Sequence, residues 1–129
     1  MQRKISEVMV KSPHTVNVEV SLRTAMDMMT KHRIRHLPVL EAGKIVGLLS
    51  ERDIHLCASF SELEDVQVEE AMAEDPYVVG PDASLTEVVG QMSRHKYGAV
   101  VVAKGPEALG IFTSVDAMVV LAELLSKKG

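Results

Sequence analysis

A single cysteine, Cys57, is all the thiol chemistry in this chain. One cysteine cannot build an intramolecular disulfide framework or a cysteine-rich zinc site, and it fits a reducing compartment. Positive charge is also short: 14 Lys and Arg against 18 Asp and Glu leave a net charge of −4. A general nucleic-acid binder needs the opposite balance, to displace counterions from phosphates. No apolar run approaches the roughly 18–20 residues of a membrane span. The most apolar stretches, Ala99–Ala103 and Ala117–Ala122, are far shorter. The start, Met1-Gln2-Arg3-Lys4, lacks the apolar core of a secretion signal. The expected setting is the cytoplasm, with neither membrane nor nucleic acid as partner.

What is present is the composition of an ordinary folded domain. The 129 residues are 47% hydrophobic and 25% charged, with 8 Gly and 5 Pro. That is too apolar for disorder and long enough for one sizeable core.

The chain also repeats itself. At an offset of 63, Met9 meets Met72, Pro13 meets Pro76, Val16 meets Val79 and His32 meets His95. Val39 meets Val102, Gly47 meets Gly110 and Asp53 meets Asp116, with no gap between. Hydrophobic phase repeats too. Leu22, Ala25, Met26 and Met29 occupy i, i+3, i+4 and i+7 of a helix, and Leu85, Val88, Val89 and Met92 fall at the same spacing. A duplication explains all of these matches together. Its halves are expected at 1–62 and 63–129, joined by the acidic segment Phe60–Asp65.

Each half reads alike. A short helix near Ile5–Val10, and again near Val68–Ala73, ends before a proline. A brief extended segment follows, at Thr15–Val18 and Val78–Gly80. A helix starts at Ser21 and at Ser84, where Ser84-Leu85-Thr86-Glu87 has the form of a capping box. Two strands follow, Leu37–Leu40 with Lys44–Leu49, and Ala99–Ala103 with Ala108–Phe112. Glu41-Ala42-Gly43 and Lys104-Gly105-Pro106-Glu107 suit hairpin turns. Final helices are expected from Glu51 to Ser59 and from Ser114 to Leu125. The fold class is therefore α+β: two β-α-β-β-α repeats related by a pseudo-twofold, each a three-stranded mixed sheet with two helices. About 60 residues per half is marginal alone, so the halves are expected to pack sheet to sheet.

Chemistry concentrates at Gly47-Leu48-Leu49-Ser50-Glu51-Arg52-Asp53 and its mate Gly110-Ile111-Phe112-Thr113-Ser114-Val115-Asp116. Both end a strand, open a helix with a hydroxyl and place Asp one turn later. A helix N-terminus attracts phosphate, and an Asp can accept two hydrogen bonds from a ribose diol. The plainer alternative is a helix cap that needs no ligand, since Ser-x-x-Asp is close to a capping box.

The chain resembles a tandem pair of CBS domains, the Bateman module, of the small stand-alone prokaryotic type. Val8-Met9, Pro13-His14-Thr15-Val16, Leu22-x-x-Ala25, Arg35-His36-Leu37-Pro38-Val39 and Gly47 to Asp53 carry the likeness in the first half. Ala71-Met72, Pro76, Val79, Leu85, Gly98 to Val102 and Gly110 to Asp116 carry it in the second. The resemblance implies a regulatory module rather than an enzyme, taking AMP, ADP, ATP or S-adenosylmethionine in two clefts, with no catalytic cofactor. One cleft would use Thr113 and Asp116 with Pro13, His14, Thr15, Arg35, His36 and Pro38. The other would use Ser50 and Asp53 with Pro76, Tyr77, Val78, Gly98 and Ala99. Asp would hold the ribose, Ser or Thr the phosphate, and the extended segment the adenine.

The clefts are not equal in charge. Arg35 and His36 can reach a phosphate, whereas Gly98 and Ala99 at the matching positions carry no charge. The Asp116 cleft is expected to be the better anion site. Lys31, Arg33, Arg94 and Lys96 need no ligand, because cations suit helix C-termini. His32 and His36 are four apart, but the helix is expected to end between them, and no metal motif is present. Cys57 is expected to be a buried inert thiol, and the eight Met to fill the core. The final helix is apolar over most of its circumference from Ala117 to Leu125, which points to a second buried face. The resemblance puts a homodimer there and on the equivalent helix of the first repeat. The regulated protein is not legible. A pure assembly module with empty clefts is the competing expectation.

Overall fold

The computed structural model describes residues 3–128. The chain forms two compact units, one of residues 13–76 and one of residues 1–12 with 77–129. Each is built largely from one repeat and completed by a short segment of the other.

In the 13–76 unit, β2 (Val16–Asn17) runs into α1 (Leu22–His32), then β3 (His36–Glu41), β4 (Lys44–Ser50) and α2 (Glu51–Ala58). A 3₁₀ turn at Leu63–Asp65, α3 (Val68–Ala71) and β5 (Ala73–Glu74) complete it. The sheet order is β2-β3-β4-β5, with β2 parallel to β3 and the other pairs antiparallel. The other unit holds a 3₁₀ turn at Ile5–Glu7, β1 (Val10–Lys11), β6 (Val78–Val79) and α4 (Leu85–His95). It ends with β7 (Ala99–Lys104), β8 (Glu107–Thr113) and α5 (Ser114–Lys128), and its sheet order is β1-β8-β7-β6.

The three strands expected per repeat are present, and each sheet gains a fourth. Val10 pairs with Ile111 and Lys11 with Gly110, while Gly47 pairs with Glu74 and Leu48 with Ala73. These edge strands belong, in sequence, to the opposite repeat. The short helix expected near Ile5–Val10 is a single 3₁₀ turn, because the chain leaves it to enter β1.

The long helices form where the periodicity places them. Ser21 Oγ accepts from Thr24 N at 3.2 Å and Ser84 Oγ from Glu87 N at 3.4 Å, satisfying free helix donors. Both helices end on a left-handed residue, Arg33 at φ 56° and Lys96 at φ 58°. The first hairpin turns on Ala42 (φ 51°) and Gly43 (φ 77°), the positive pair of a type I′ turn. The second turns on Gly105 (φ 59°) followed by Pro106, the order that suits a type II′ turn.

The core of the 13–76 unit gathers Leu22, Ala25 and Met29 from α1 with Leu37, Val39, Leu49 and Ile54, closed by Leu63 and Val68. The second core gathers Leu85, Val88 and Met92 with Val100, Val102 and Phe112, closed by Ile5. Ile5 and Val68 are mates at the repeat offset, and each is fully buried in the core of the other repeat's sheet. Met26 and Met28 pack at the edge of the first core. Cys57 packs there as well, but is half-buried rather than fully enclosed.

Candidate functional site

Each strand-to-helix junction closes on its own Asp. Asp53 N donates to Ser50 Oγ at 3.1 Å and Ser50 N donates to Asp53 Oδ2 at 2.9 Å, a reciprocal capping box at the start of α2. At the start of α5, Thr113 N donates to Asp116 Oδ2 at 2.8 Å and Asp116 N donates to Thr113 Oγ1 at 3.3 Å. The Thr113 hydroxyl adds a third bond, to the same Oδ2 at 3.0 Å. The capping alternative is therefore realised at both motifs. It engages one carboxylate oxygen of each Asp. All four residues are half-buried, so the second oxygen sits in a partly shielded setting.

Gly47 and Gly110, which open these motifs, are required by close approach. A Cβ on Gly47 would lie 2.9 Å from the Ala73 carbonyl oxygen, and one on Gly110 2.9 Å from that of Val10. The glycines thus admit the edge strands β5 and β1.

The remaining candidates of the first set fall on the start of β3 and the segment before β2. His36 pairs with Ser50 across β3 and β4, Pro38 with Leu48, and the Arg35 carbonyl accepts from Glu51 N at 2.8 Å. Pro38 is buried in β3, and β2 reaches only Val39 and Leu40 alongside it, so its missing N–H is tolerated. Arg35 is exposed. The ion pairs among the described residues are Lys4–Asp82 and Arg23–Glu64, so the Arg35 guanidinium is not held by a carboxylate.

Pro13, His14 and Thr15 precede β2, and His14 stacks on His32 at the end of α1. Their ring centroids are 3.7 Å apart and the planes 17° from parallel. Desolvation, then the neighbouring His14 and Lys31, hold the His32 imidazole below the usual histidine range.

In the other unit, Tyr77 and Val78 flank the start of β6, and Ala99 pairs with Thr113 across β7 and β8. The Gly98 carbonyl accepts from Ser114 N at 2.9 Å, matching the bond at Arg35. Tyr77 stands 5.2 Å from Tyr97, and Tyr97 5.2 Å from His95. Burial chiefly, then Glu87 and Tyr97, raise the Tyr77 hydroxyl above its ordinary value, with Arg94 opposing.

One backbone difference separates the repeats. Val101 N donates to the Tyr77 carbonyl at 3.0 Å. Its mate in the first repeat is Pro38, which has no N–H, so the His14 carbonyl lacks that bond.

The expected sets are each drawn from both units. Thr113 and Asp116 lie in one unit, and Pro13 to Thr15, Arg35, His36 and Pro38 in the other. Ser50, Asp53 and Pro76 likewise lie in a different unit from Tyr77, Val78, Gly98 and Ala99. His32, Tyr97 and His95 were missing from both sets. The His32–His95 match at the repeat offset was the available signal for two of them, and the scarcity of aromatic residues for the third.

A family model described as CBS domain matches residues 5–56 and 68–123. Among curated proteins, the inosine-5′-monophosphate dehydrogenase of Korarchaeum cryptofilum is 30% identical over 115 residues, 88% of this chain and 23% of that protein. The L-aspartate semialdehyde sulfurtransferase of Methanocaldococcus jannaschii is 30% identical over 114 residues, 87% of this chain and 22% of that protein. The chain thus spans about a quarter of the length of these relatives. Among solved structures, the AcuB protein of Vibrio cholerae matches with a TM-score of 0.90 at 29% identity, over 99% of this chain and 98% of that one. The CBS domain pair of protein MJ0100, solved with 5′-methylthioadenosine and S-adenosyl-L-methionine, matches with a TM-score of 0.85 at 25% identity, over the whole of both chains. Among the described residues, no helix is long and apolar enough to cross a membrane.

Proposed function

The chain belongs to the CBS domain family as a tandem regulatory pair, and on that premise we propose that it senses an adenosine ligand, AMP, ADP or ATP foremost, and modulates a partner protein. The observation that carries this reading is the hydroxyl–Asp cap repeated at both strand-to-helix junctions, with one carboxylate oxygen of each Asp outside the cap. That oxygen has two lone pairs for a ribose diol. The ligands solved in the MJ0100 pair support the adenosine part.

In the first site, Asp116 takes the ribose and Thr113 the phosphate, with Arg35 and His36 adding charge. Pro13, His14, Thr15 and Pro38 receive the base, and the His14 carbonyl freed by Pro38 is an acceptor for its amino group. In the second site, Asp53 and Ser50 play the corresponding parts, with Pro76, Tyr77, Val78, Gly98 and Ala99 around the base. S-adenosylmethionine fits this less charged set better than a polyphosphate does. The role is binding without catalysis: the Thr113 hydroxyl faces the Asp116 carboxylate rather than an imidazole base, and turns its hydrogen to the phosphate when ligand binds. The lone Cys57 supports a reducing, cytoplasmic setting. A homodimer through α5 and the equivalent helix α2 is part of the proposal.

The experiment is a thermal-shift series with AMP, ADP, ATP, S-adenosylmethionine and GTP on wild type, Asp53→Ala and Asp116→Ala. A ligand at 100 times its dissociation constant adds about 2.7 kcal/mol, several degrees in a domain of this size. A shift with an adenosine ligand, lost in one Asp variant, supports the sensor. The exposed apolar face of α5 favours a second reading, an assembly module. No shift with any ligand, in folded protein, selects that one.

A further inference from the structure

Tyr77, Tyr97 and His95 form a row of rings. Tyr77 lies 5.2 Å from Tyr97 at 31°, and Tyr97 lies 5.2 Å from His95 at 21°. The row contains both tyrosines of a chain that has only two Phe and no Trp besides. Core packing does not account for it. Tyr77 rests partly on the second core, but Tyr97 is 39% exposed and His95 is exposed. An exposed ring face is a surface on which a planar base can stack, whatever its hydrogen-bonding edge.

The repeat offset isolates what is new here. Tyr77 corresponds to His14, His95 to His32, and Tyr97 to Ile34. The first repeat stacks imidazole directly on imidazole; the second inserts a phenol ring between its two partners. Charge differs in the same direction. Lys31, acting on His32, and Arg94, acting on Tyr77, are mates and both cations, but the second repeat adds an anion, Glu87, where the first has Thr24. The Arg94 guanidinium also folds back along its own helix, within 3.4 Å of where a Cβ on Gly90 would stand. Arg35 and His36 are replaced by Gly98 and Ala99. Lys96 does not separate the repeats, because its mate Arg33 is also a cation. Phosphate loses Arg35 and His36 at the second site, keeping Ser50, while a base gains ring surface.

We propose that Tyr97, with Tyr77 and His95, forms a stacking platform for the adenine base at the second site, and that this site, with Gly98 and Ala99 in place of Arg35 and His36, prefers adenosine without a 5′-phosphate. The inference rests on the adenosine reading above and divides its two sites by ligand charge.

Tyrosine emission reports on this row alone, since no other tyrosine and no tryptophan exists in the chain. Adenosine and AMP are titrated separately, each followed by tyrosine emission and by calorimetry. Adenosine is expected to perturb the emission at a concentration at least about tenfold below that needed by AMP. Tyr97→Phe keeps the ring and is expected to hold adenosine nearly as wild type does. Tyr97→Ala, checked as folded by circular dichroism, is expected to weaken adenosine about tenfold, within the range of base–aromatic stacking. AMP perturbing the emission as readily as adenosine overturns the proposal, as does wild-type adenosine affinity in Tyr97→Ala. AMP binding by calorimetry with the tyrosines silent to both ligands overturns the platform but leaves the adenosine reading standing. Calorimetric silence to both ligands overturns the two together.

Discussion

The thioether of Met72 fills the space that a side chain on Gly47 would need. Met9 does the same above Gly110. Each methionine comes from one repeat and each glycine from the other, so the duplication is interlocked through these pairs. Gly47→Ala is expected to destabilise the protein by about 1–3 kcal/mol, the usual cost of overpacking. Met72 can shift, but the Ala73 carbonyl behind it cannot without loosening β5. Urea unfolding should show the lower midpoint, and Gly110→Ala should repeat it.

That interlock marks the limit of what the sequence made legible. The offset of 63 residues, the amphipathic stripes of α1 and α4 and the two hairpins were all readable, because periodicity and turn residues signal them over many positions. The crossing of β1 and β5 was not, because a two-residue strand carries no period. The landmarks Met9, Met72, Gly47 and Gly110 were visible as matches, yet nothing local told which methionine met which glycine. The Ser50–Asp53 and Thr113–Asp116 pairs were legible as capping-box candidates, while the single carboxylate oxygen that each cap engages was not, because no residue pattern distinguishes the two oxygens. The row through Tyr97 was not legible, because its mate Ile34 breaks the match between the repeats.

Backbone conformation repeats even where residue type does not. Ser12 and Asp75, Arg33 and Lys96, and Ala42 and Gly105 are mates that share positive φ. The sheets also slip register at matching points, Val39/Leu40 and Val102/Ala103. A left-handed Lys96 costs energy that glycine avoids. Lys96→Gly is expected to stabilise the protein by about 0.5–1 kcal/mol, net of the extra freedom glycine gives the unfolded chain. A thermal melt would show the gain; a lower midpoint would mean that the lysine side chain contributes more than its backbone costs.

Arg35 is expected to matter for charge and not for folding, since it is exposed and has no carboxylate partner among the described residues. Losing one charge-assisted hydrogen bond to phosphate costs about 1.5–3 kcal/mol. Arg35→Ala should therefore weaken AMP by roughly ten- to a hundredfold in calorimetry, with an unchanged melting point in the absence of ligand. Wild-type affinity in that variant would remove Arg35 from the site.

The His14–His32 stack predicts a direction in pH. His32 holds its proton less tightly in the folded chain than in the unfolded one, through desolvation first and then the neighbouring His14 and Lys31. The folded state therefore binds fewer protons across that window. Its contribution to stability is present above the ordinary histidine value of about 6.5 and is lost as pH falls through the lower His32 value. His14→Gln removes one cause of the shift but not the first. His32 should then titrate at a higher pH, still below the ordinary value, as followed by its ring proton resonances in NMR. No movement of the His32 titration would mean the rings do not stack in solution.

Helix α5 presents more apolar surface than its own unit covers. Ala117 and Val120 pack on the second core, while Val115, Met118 (59% exposed), Val119, Leu121, Leu124 and Leu125 (61%) do not. From Val115 to Leu125 these form a broad apolar face about 15 Å long. Contiguous apolar surface on this scale marks an interaction site in a soluble protein. A second copy presents the same face and can match it about a twofold axis, the commonest closed arrangement. Light scattering at micromolar concentration should give the mass of a dimer. Leu121→Glu should give a monomer, because a buried unpaired carboxylate is costly, while circular dichroism stays native. A wild-type monomer would assign this face to a different protein, and the most direct candidate would then be the partner that the pair regulates.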